Sequence, residues 1–321
     1  MSASSPSLDL TQKRCTHPPI SVIVCTTGDR PEQMRRCVAS ILEQDCDNFE
    51  LLVVLNAAAD HGFETALRGF NARLLHEPRP AMCAARNRAL REARGTMVAF
   101  TEDDVLVHPG WLHALAAPFA RDGVGCVTGC VLPEGPGYLA QERYTGPLAT
   151  SEWSFSRNDS DWFQRALKGD TGIGCNMAFR KEVLSEIGGC PEDLGVGTPM
   201  GGCDEPYQFL ATLAAGYAVH HAPDAVVTHY FDPDPAVHKR RLTQLHSAHV
   251  AFLLHLASEA RFRRQALREL GRGMLKLVGA RPAGAQSTAV PLWRRLWAYA
   301  SGPWLWLEAR RWARSRRPAR D

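Results

Sequence analysis

This chain contains no run approaching the roughly 18 consecutive apolar residues that a membrane-spanning helix requires. Its opening stretch, MSASSPSLDLTQKRC, has no apolar segment of the kind that directs secretion and reads as a short disordered lead. Ten cysteines are present, yet none forms a CxxC pair, and several sit in apolar runs where cysteine acts as a small hydrophobe. A disulfide framework is not expected in a chain of this length without a secretory signal, so an intracellular, reduced protein is expected. Charge of one sign is also scarce: 37 Lys and Arg oppose 34 Asp and Glu, and a net +3 creates no field that argues for nucleic acid. The first strand–turn reads CTTGDRP rather than GxGxxG, which excludes a dinucleotide-binding oxidoreductase, and no GxxxxGK[ST] loop or internal repeat exists.

What is present is 45% hydrophobic content over 321 residues, enough for one sizeable core or a core with an appended subdomain. Apolar, β-branched runs at Ile20 to Cys25, Glu50 to Leu55, Ala72 to Leu75, Thr96 to Phe100 and Val124 to Val131 predict buried strands. Helices are expected between them: one from Pro31 to about Gln44, one from near Pro80 with Gly95 as its C-cap, and one starting at Pro109. Such alternation with short loops predicts an α/β fold with a mostly parallel, doubly wound sheet. Ligands then sit at the carboxyl ends of the strands. Residues 133–170, rich in Gly, Pro and aromatics, are expected to form a long surface excursion over the site. Beyond Pro235 the pattern is helical, from about Ala236 to Ser258 and from Arg261 to Leu277.

One turn concentrates negative charge. Glu102-Asp103-Asp104 follows a buried strand, and three adjacent carboxylates repel unless water or a cation relieves them. Hard carboxylate oxygens suit Mg²⁺ or Mn²⁺, which leave coordination positions for phosphate oxygens. The plainer alternative is a solvated turn whose last Asp caps the next helix.

Five stretches carry a resemblance: SVIVCTTGDRP (21–31), RPAMCAARNRALREARGTMVAFTEDDVLVHPGWL (79–112), GIGCNMAFRKEVLSEIGG (172–189), GVGTPMGGCDE (195–205) and GYAVHHAPDAVVTHY (216–230). In this order they resemble the family 2 glycosyltransferases, inverting enzymes of the GT-A fold. The resemblance implies a GT-A nucleotide-binding domain over 18–232, after a lead at 1–17 and before a helical C-terminal extension at 233–321. It implies that Thr26, Thr27, Asp29, Asn56, Arg86, Asp103 and Asn176 contact a nucleotide-diphosphate sugar. Asp104, with Glu102 and His229, would hold a divalent metal, and Glu205 or Asp204 would be the catalytic base. The expected partners are that donor and a glycan, lipid-linked or small-molecule acceptor, as in glycan or polysaccharide biosynthesis.

Each assignment has a plain counterpart. Arg86 suits a solvated helix face, His229 can end a strand, Asn176 can satisfy a turn, and Asp204-Glu205 can begin a helix. Three departures from the family pattern bear on function. The second strand ends Leu55-Asn56 where Asp-Asn is usual, leaving Asp29 as the candidate reader of the base. The metal motif begins with Glu102, and the Glu-Asp pair is reversed to Asp204-Glu205. They keep open a second reading, a non-catalytic GT-A relative that binds a glycan or partner.

The tail from Pro291 to Asp321 holds five of the eight Trp and eight Arg against two acids. That composition suits the interface of an anionic membrane, or packing on the main domain or a second subunit. Gly302-Pro303 is expected to break the tail helix. A cytoplasmic protein is the resulting expectation, with peripheral contact to the inner face of the membrane as one of the open readings of the tail.

Overall fold

Strand β1 (Ile20–Thr26) is buried along its whole length because it has neighbours on both edges and cover on both faces. Parallel partners flank it: β2 (Phe49–Leu55) pairs Val22 with Leu51, and β4 (Met97–Glu102) pairs Val22 with Ala99. The computed structural model describes residues 17–59, 62–134, 147–167, 171–230, 235–278 and 292–316. Among them the remaining strands are β3 (Arg73–His76), β5 (Val105–Val107), β6 (Val124–Glu134), β7 (Trp153–Phe155), β8 (Met177–Arg180) and β9 (Ala218–Tyr230). The sheet runs β3-β2-β1-β4-β8-β6-β9-β5, with β7 beside β9. It is mixed: β8 runs antiparallel to both β4 and β6, whereas β6 and β9, the longest pairing, are parallel.

The helices are α1 (Pro31–Leu42), α2 (Phe63–Ala66), α3 (Met82–Glu92), α4 (Trp111–Ala116), α5 (Pro147–Thr150) and α6 (Trp162–Leu167). Then come α7 (Lys181–Glu186), α8 (Asp204–Ala214), α9 (Pro235–Ser258), α10 (Arg263–Val278) and α11 (Leu292–Ser315). Alternation along β1 divides the interior. Val22 and Val24 pack with Met34, Ile41 and Trp111 on one face, while Ile23 packs with Phe100, Phe179 and Leu210 on the other. Phe252, Leu256, Phe262 and Ala309 belong to the second cluster, so the C-terminal helices enlarge that core rather than building their own.

Three expectations are corrected. Gly95 is not a helix cap: α3 ends at Glu92, and Gly95 instead lets the backbone of β1 approach, since a Cβ there would lie 2.5 Å from Ser21 N. Residues 133–170 are not simply an excursion. In their described part β7 adds to the sheet, and α6 buries Trp162 and Phe163. Gly302-Pro303 does not break the tail helix, because α11 runs through Pro303. The lost backbone bond is outweighed by packing, with Ala298 and Ala309 buried and Gly302 set against Val250.

Candidate active site

Register brings the carboxyl ends of three strands to one edge, with Thr26 beside Leu55 and Cys25 beside Glu102. Gly28, at φ +82°, turns the chain sharply after β1. Leu55 fills the space beneath that turn, 3.2 Å from where a Gly28 Cβ would sit, which is the packing reason an apolar residue stands there. A cavity of about 170 Å³ opens at this edge, lined by Thr27, Arg30, Asn56, Met82, Asp103 and Val196 among others. Thr26 donates to Asp103 Oδ2 at 2.5 Å and accepts from the Gly28 N–H at 3.0 Å, so its hydroxyl is spent on shaping the turn. Burial pushes the Asp103 carboxyl up to about 6, against the pull of Arg30 and Thr26.

The acidic turn is followed by a strand, not a helix. Glu102 ends β4 and Val105 begins β5, so Asp103-Asp104 is a tight two-residue connection. The next helix begins at Trp111 behind Gly110, which excludes helix capping by Asp104. β5 pairs antiparallel with β9, setting Val105 opposite His229. That register carries the imidazole to the turn: His229 Nε2 lies 3.4 Å from both Glu102 Oε2 and Asp104 Oδ1. One ligand atom from each of Glu102, Asp104 and His229 lies within 4.8 Å of the others. Asp104 Oδ1 is buried without a hydrogen-bond partner among the described residues. Two carboxylates and an imidazole suit a borderline-hard dication such as Mn²⁺, and the orphaned oxygen supplies a lone pair for it. Burial alone would lower His229, but the neighbouring Glu102 and Asp104 outweigh it and raise the imidazole above its ordinary value. Glu102 is in turn drawn below the usual carboxylate range, burial being outweighed by its contact with His229.

Arg30 is the cation already at this turn. Its guanidinium meets Asp103 Oδ1 at 2.7 Å through NH2 and Asp104 Oδ2 through NH1, with its own side chain half exposed. The sequence reading passed over it, because Arg30 is about 70 residues from its partners and only the β1–β4 pairing brings them together.

A second group of charges lies at the start of α8. Cys203 takes a left-handed φ of +72°, and the acids Asp204 and Glu205 follow in the first helical turn. Asp204 pairs with Arg86 NH1 at 2.7 Å, and both side chains are buried. Arg86 also donates to Gly174 O at 3.3 Å and lies over the Phe100 ring. This buried pair leaves Arg86 neither on a solvated face nor open to the cavity. Glu205 is partly exposed and accepts the Gly174 N–H at 3.1 Å. Burial, then the nearby Asp204, push its carboxyl up to about 8 against the opposing charge of Arg86.

The other sequence-derived residues differ in where they sit. Asn176 is fully buried, donates to Cys130 O and Ala225 O, and accepts from Trp111 Nε1, so it braces the sheet. Asp29 is exposed at the rim, accepts from Thr27, and is not among the cavity-lining residues. Asn56 does line the cavity; its Nδ2 is held by Glu77 O and Arg79 O at 3.0 and 2.6 Å, leaving Oδ1 as the atom it offers. The Val196–Gly197 segment was missed as a wall of this cavity. It lies in the 195–205 stretch that carries the resemblance, but its place in the wall depends on Gly197 docking on Pro80, where an added Cβ would meet Pro80 O at 2.4 Å.

With this geometry in place, the family model described as glycosyl transferase family 2 matches residues 21–188, just over half of the chain. The chain belongs to that family. It is 26% identical over 223 residues to the glycosyltransferase AglE of Haloferax volcanii, covering 67% of each. The matched stretches span from 13% to 67% of the length of the curated relatives. Among solved structures it is similar to the mannosyltransferase PcManGT of Pyrobaculum calidifontis, a complex with GDP-Man and Mn²⁺, at 22% identity and a TM-score of 0.54. That match covers 95% of this chain and 77% of that one. Similarity to S. aureus TarS has a TM-score of 0.58 at 15% identity, covering 94% and 93%. The fold is therefore the expected GT-A type with C-terminal helices. No described helix is long and apolar enough to cross a membrane.

Proposed function

We propose that this chain transfers a sugar from a nucleotide-diphosphate donor to an acceptor hydroxyl, with inversion and with a divalent cation, Mg²⁺ or Mn²⁺. The observation that carries this is the convergence of Glu102, Asp104 and His229, with Glu102 also lining a cavity sized for part of a nucleotide. A bound dication there supplies charge stabilisation for the departing diphosphate. Asp103, steadied by Thr26, lines the cavity and offers its carboxylate to a ribose hydroxyl of the donor. Arg30 presents a guanidinium to the same edge, where phosphate oxygens are met by a planar fork of donors. The apolar wall of Met82 and Val196 provides a surface for a base, and Asn56 Oδ1 an acceptor for a base N–H.

Glu205 is assigned as the base, because Asp204 is committed to Arg86 and Glu205 alone of the pair is partly accessible. A carboxylate taking the acceptor proton on the side opposite the diphosphate produces inversion in one displacement. The donor contact made by the similar mannosyltransferase supports a nucleotide sugar as the donor class.

The test is a thermal-shift panel of nucleoside diphosphates with and without Mn²⁺, followed by sugar-nucleotide turnover. One nucleotide stabilises the protein only with Mn²⁺, and Asp104→Ala removes the shift. Glu205→Gln keeps the shift but loses about 10²- to 10⁴-fold in turnover. In the parent protein kcat/KM falls as pH is lowered through about 8, where Glu205 takes up its proton. No shift with any nucleotide overturns this reading in favour of a non-catalytic glycan- or partner-binding relative.

A further inference from the structure

The last helix is apolar on two opposite sides. Inward, Ala298 and Ala309 are buried, and Gly302 lies so near α9 that a Cβ would meet Val250 Cγ1 at 2.6 Å. Outward, Leu296, Trp297, Trp304 and Leu307 are 52%, 66%, 63% and 45% exposed. Positions 293, 297, 300, 304, 307 and 311 follow one another at three- and four-residue steps, so they form a single stripe opposite the buried one. On neighbouring α10, Leu267, Met274 and Leu275 also face solvent. Of the ten large hydrophobics exposed among the described residues, eight lie on these two helices. Single exposed apolar residues are ordinary, but a concentration of this kind marks an interaction surface.

Charge selects the partner. Each of the two helices carries five basic residues and one acidic residue. Arg264, Arg268 and Arg272 on α10 and Arg311 and Arg314 on α11 are exposed beside the apolar stripe. The one acid of α10, Glu269, is occupied by Arg272 and Gln164. A second copy of this surface would bring like charges together over its whole length. An anionic bilayer does the reverse: tryptophan rings favour headgroup depth, and arginines meet lipid phosphates.

We propose that the outer faces of α10 and α11 form a docking surface for an anionic lipid bilayer, on which the protein lies without spanning it. The inference is independent of the transfer reaction, since it uses none of the cavity residues.

Co-sedimentation of the full chain with vesicles tests it. The protein is expected to sediment with phosphatidylglycerol-rich vesicles, less so as salt is raised, and not with pure phosphatidylcholine. The double variant Trp297→Ser/Trp304→Ser and, separately, Arg311→Glu/Arg314→Glu each weaken partitioning about tenfold or more. Both retain the parent melting temperature and nucleotide-dependent shift. If the tryptophan variant melts early, the arginine variant, which alters exposed side chains alone, carries the test. Three results overturn the proposal: no binding to phosphatidylglycerol vesicles at low salt, equal binding to phosphatidylcholine, or a dimer by light scattering that the tryptophan variant dissociates. The last assigns the surface to a second copy.

Discussion

Two clusters in this molecule are made of the same three groups, a histidine and two carboxylates. His229 meets Glu102 and Asp104 at the strand ends, and His255 meets Asp193 and Glu259 where α9 docks on the sheet domain. The two histidine side chains are equally screened, at 11% and 12% exposure. The difference is which ring nitrogen each acid approaches. Glu102 and Asp104 both approach Nε2 of His229. Asp193 approaches Nδ1 of His255 at 3.2 Å, and Glu259 approaches Nε2 at 3.4 Å. One nitrogen carries at most one proton and cannot serve two acceptors, so the first cluster leaves lone pairs converging on a common point. An imidazolium between two acids attracts both from opposite sides, so the second cluster balances its own charge as an ion-pair clamp. Composition alone does not separate the proposed metal site from a structural tie; the direction of approach is what the proposal rests on.

Matched substitutions at the two clusters probe this contrast most strongly. Asp104→Asn is expected to lower turnover by about a hundredfold or more and abolish Mn²⁺ binding by calorimetry. Asp193→Asn leaves Mn²⁺ binding intact and instead lowers unfolding free energy by about 1–3 kcal/mol in urea. Equal effects on metal binding from both variants would show that the two clusters do not differ as argued.

The next effect concerns pH. His255 is buried, which alone would lower it, but Asp193 and Glu259 prevail and raise it to about 9. A raised folded-state value means the clamp's stabilisation is complete below the unfolded value near 6.5 and is lost as pH rises through about 9. Unfolding free energy should therefore drop between pH 7 and 10 by about 1–3 kcal/mol, and His255→Gln should flatten that drop. A wild-type profile already flat across this window would refute the clamp.

The smallest effect lies at Arg30, whose guanidinium pairs with Asp104 of the first cluster and would compete with a cation for it. Removing this competitor by Arg30→Ala should tighten Mn²⁺ binding about two- to tenfold without nucleotide, since a half-exposed ion pair is worth little. The same variant should weaken nucleoside diphosphate binding. Weaker Mn²⁺ binding in the nucleotide-free variant would mean that Arg30 supports the metal rather than substituting for it.

How much of this was legible beforehand differs by element. The parallel strands β1, β2 and β4 were readable because strands covered on both faces are continuous apolar runs. β5 and β7, three residues each, offered too few positions for any period to show. The carboxylates were identified because their clustering is anomalous in any local sequence. The bracing role of Asn176 was not legible, because a buried asparagine bracing a sheet and one holding a ligand look alike until Trp111, Cys130 and Ala225 are placed around it. The tail helix was expected to break because Pro303 was judged by propensity, which tertiary packing overrode.

By itself the sequence determined which segments are buried and where negative charge gathers, since burial pattern and charge density are properties of neighbouring residues. It carried the family through the order of its motifs. Tertiary structure alone decided which partners those charges meet. Arg30 reaches Asp103 and Asp104, Arg86 claims Asp204 and frees Glu205, and His229 arrives through the β5–β9 register. Each contact joins residues more than 70 positions apart, and chain closure over such distances is set by sheet order, which no local pattern encodes.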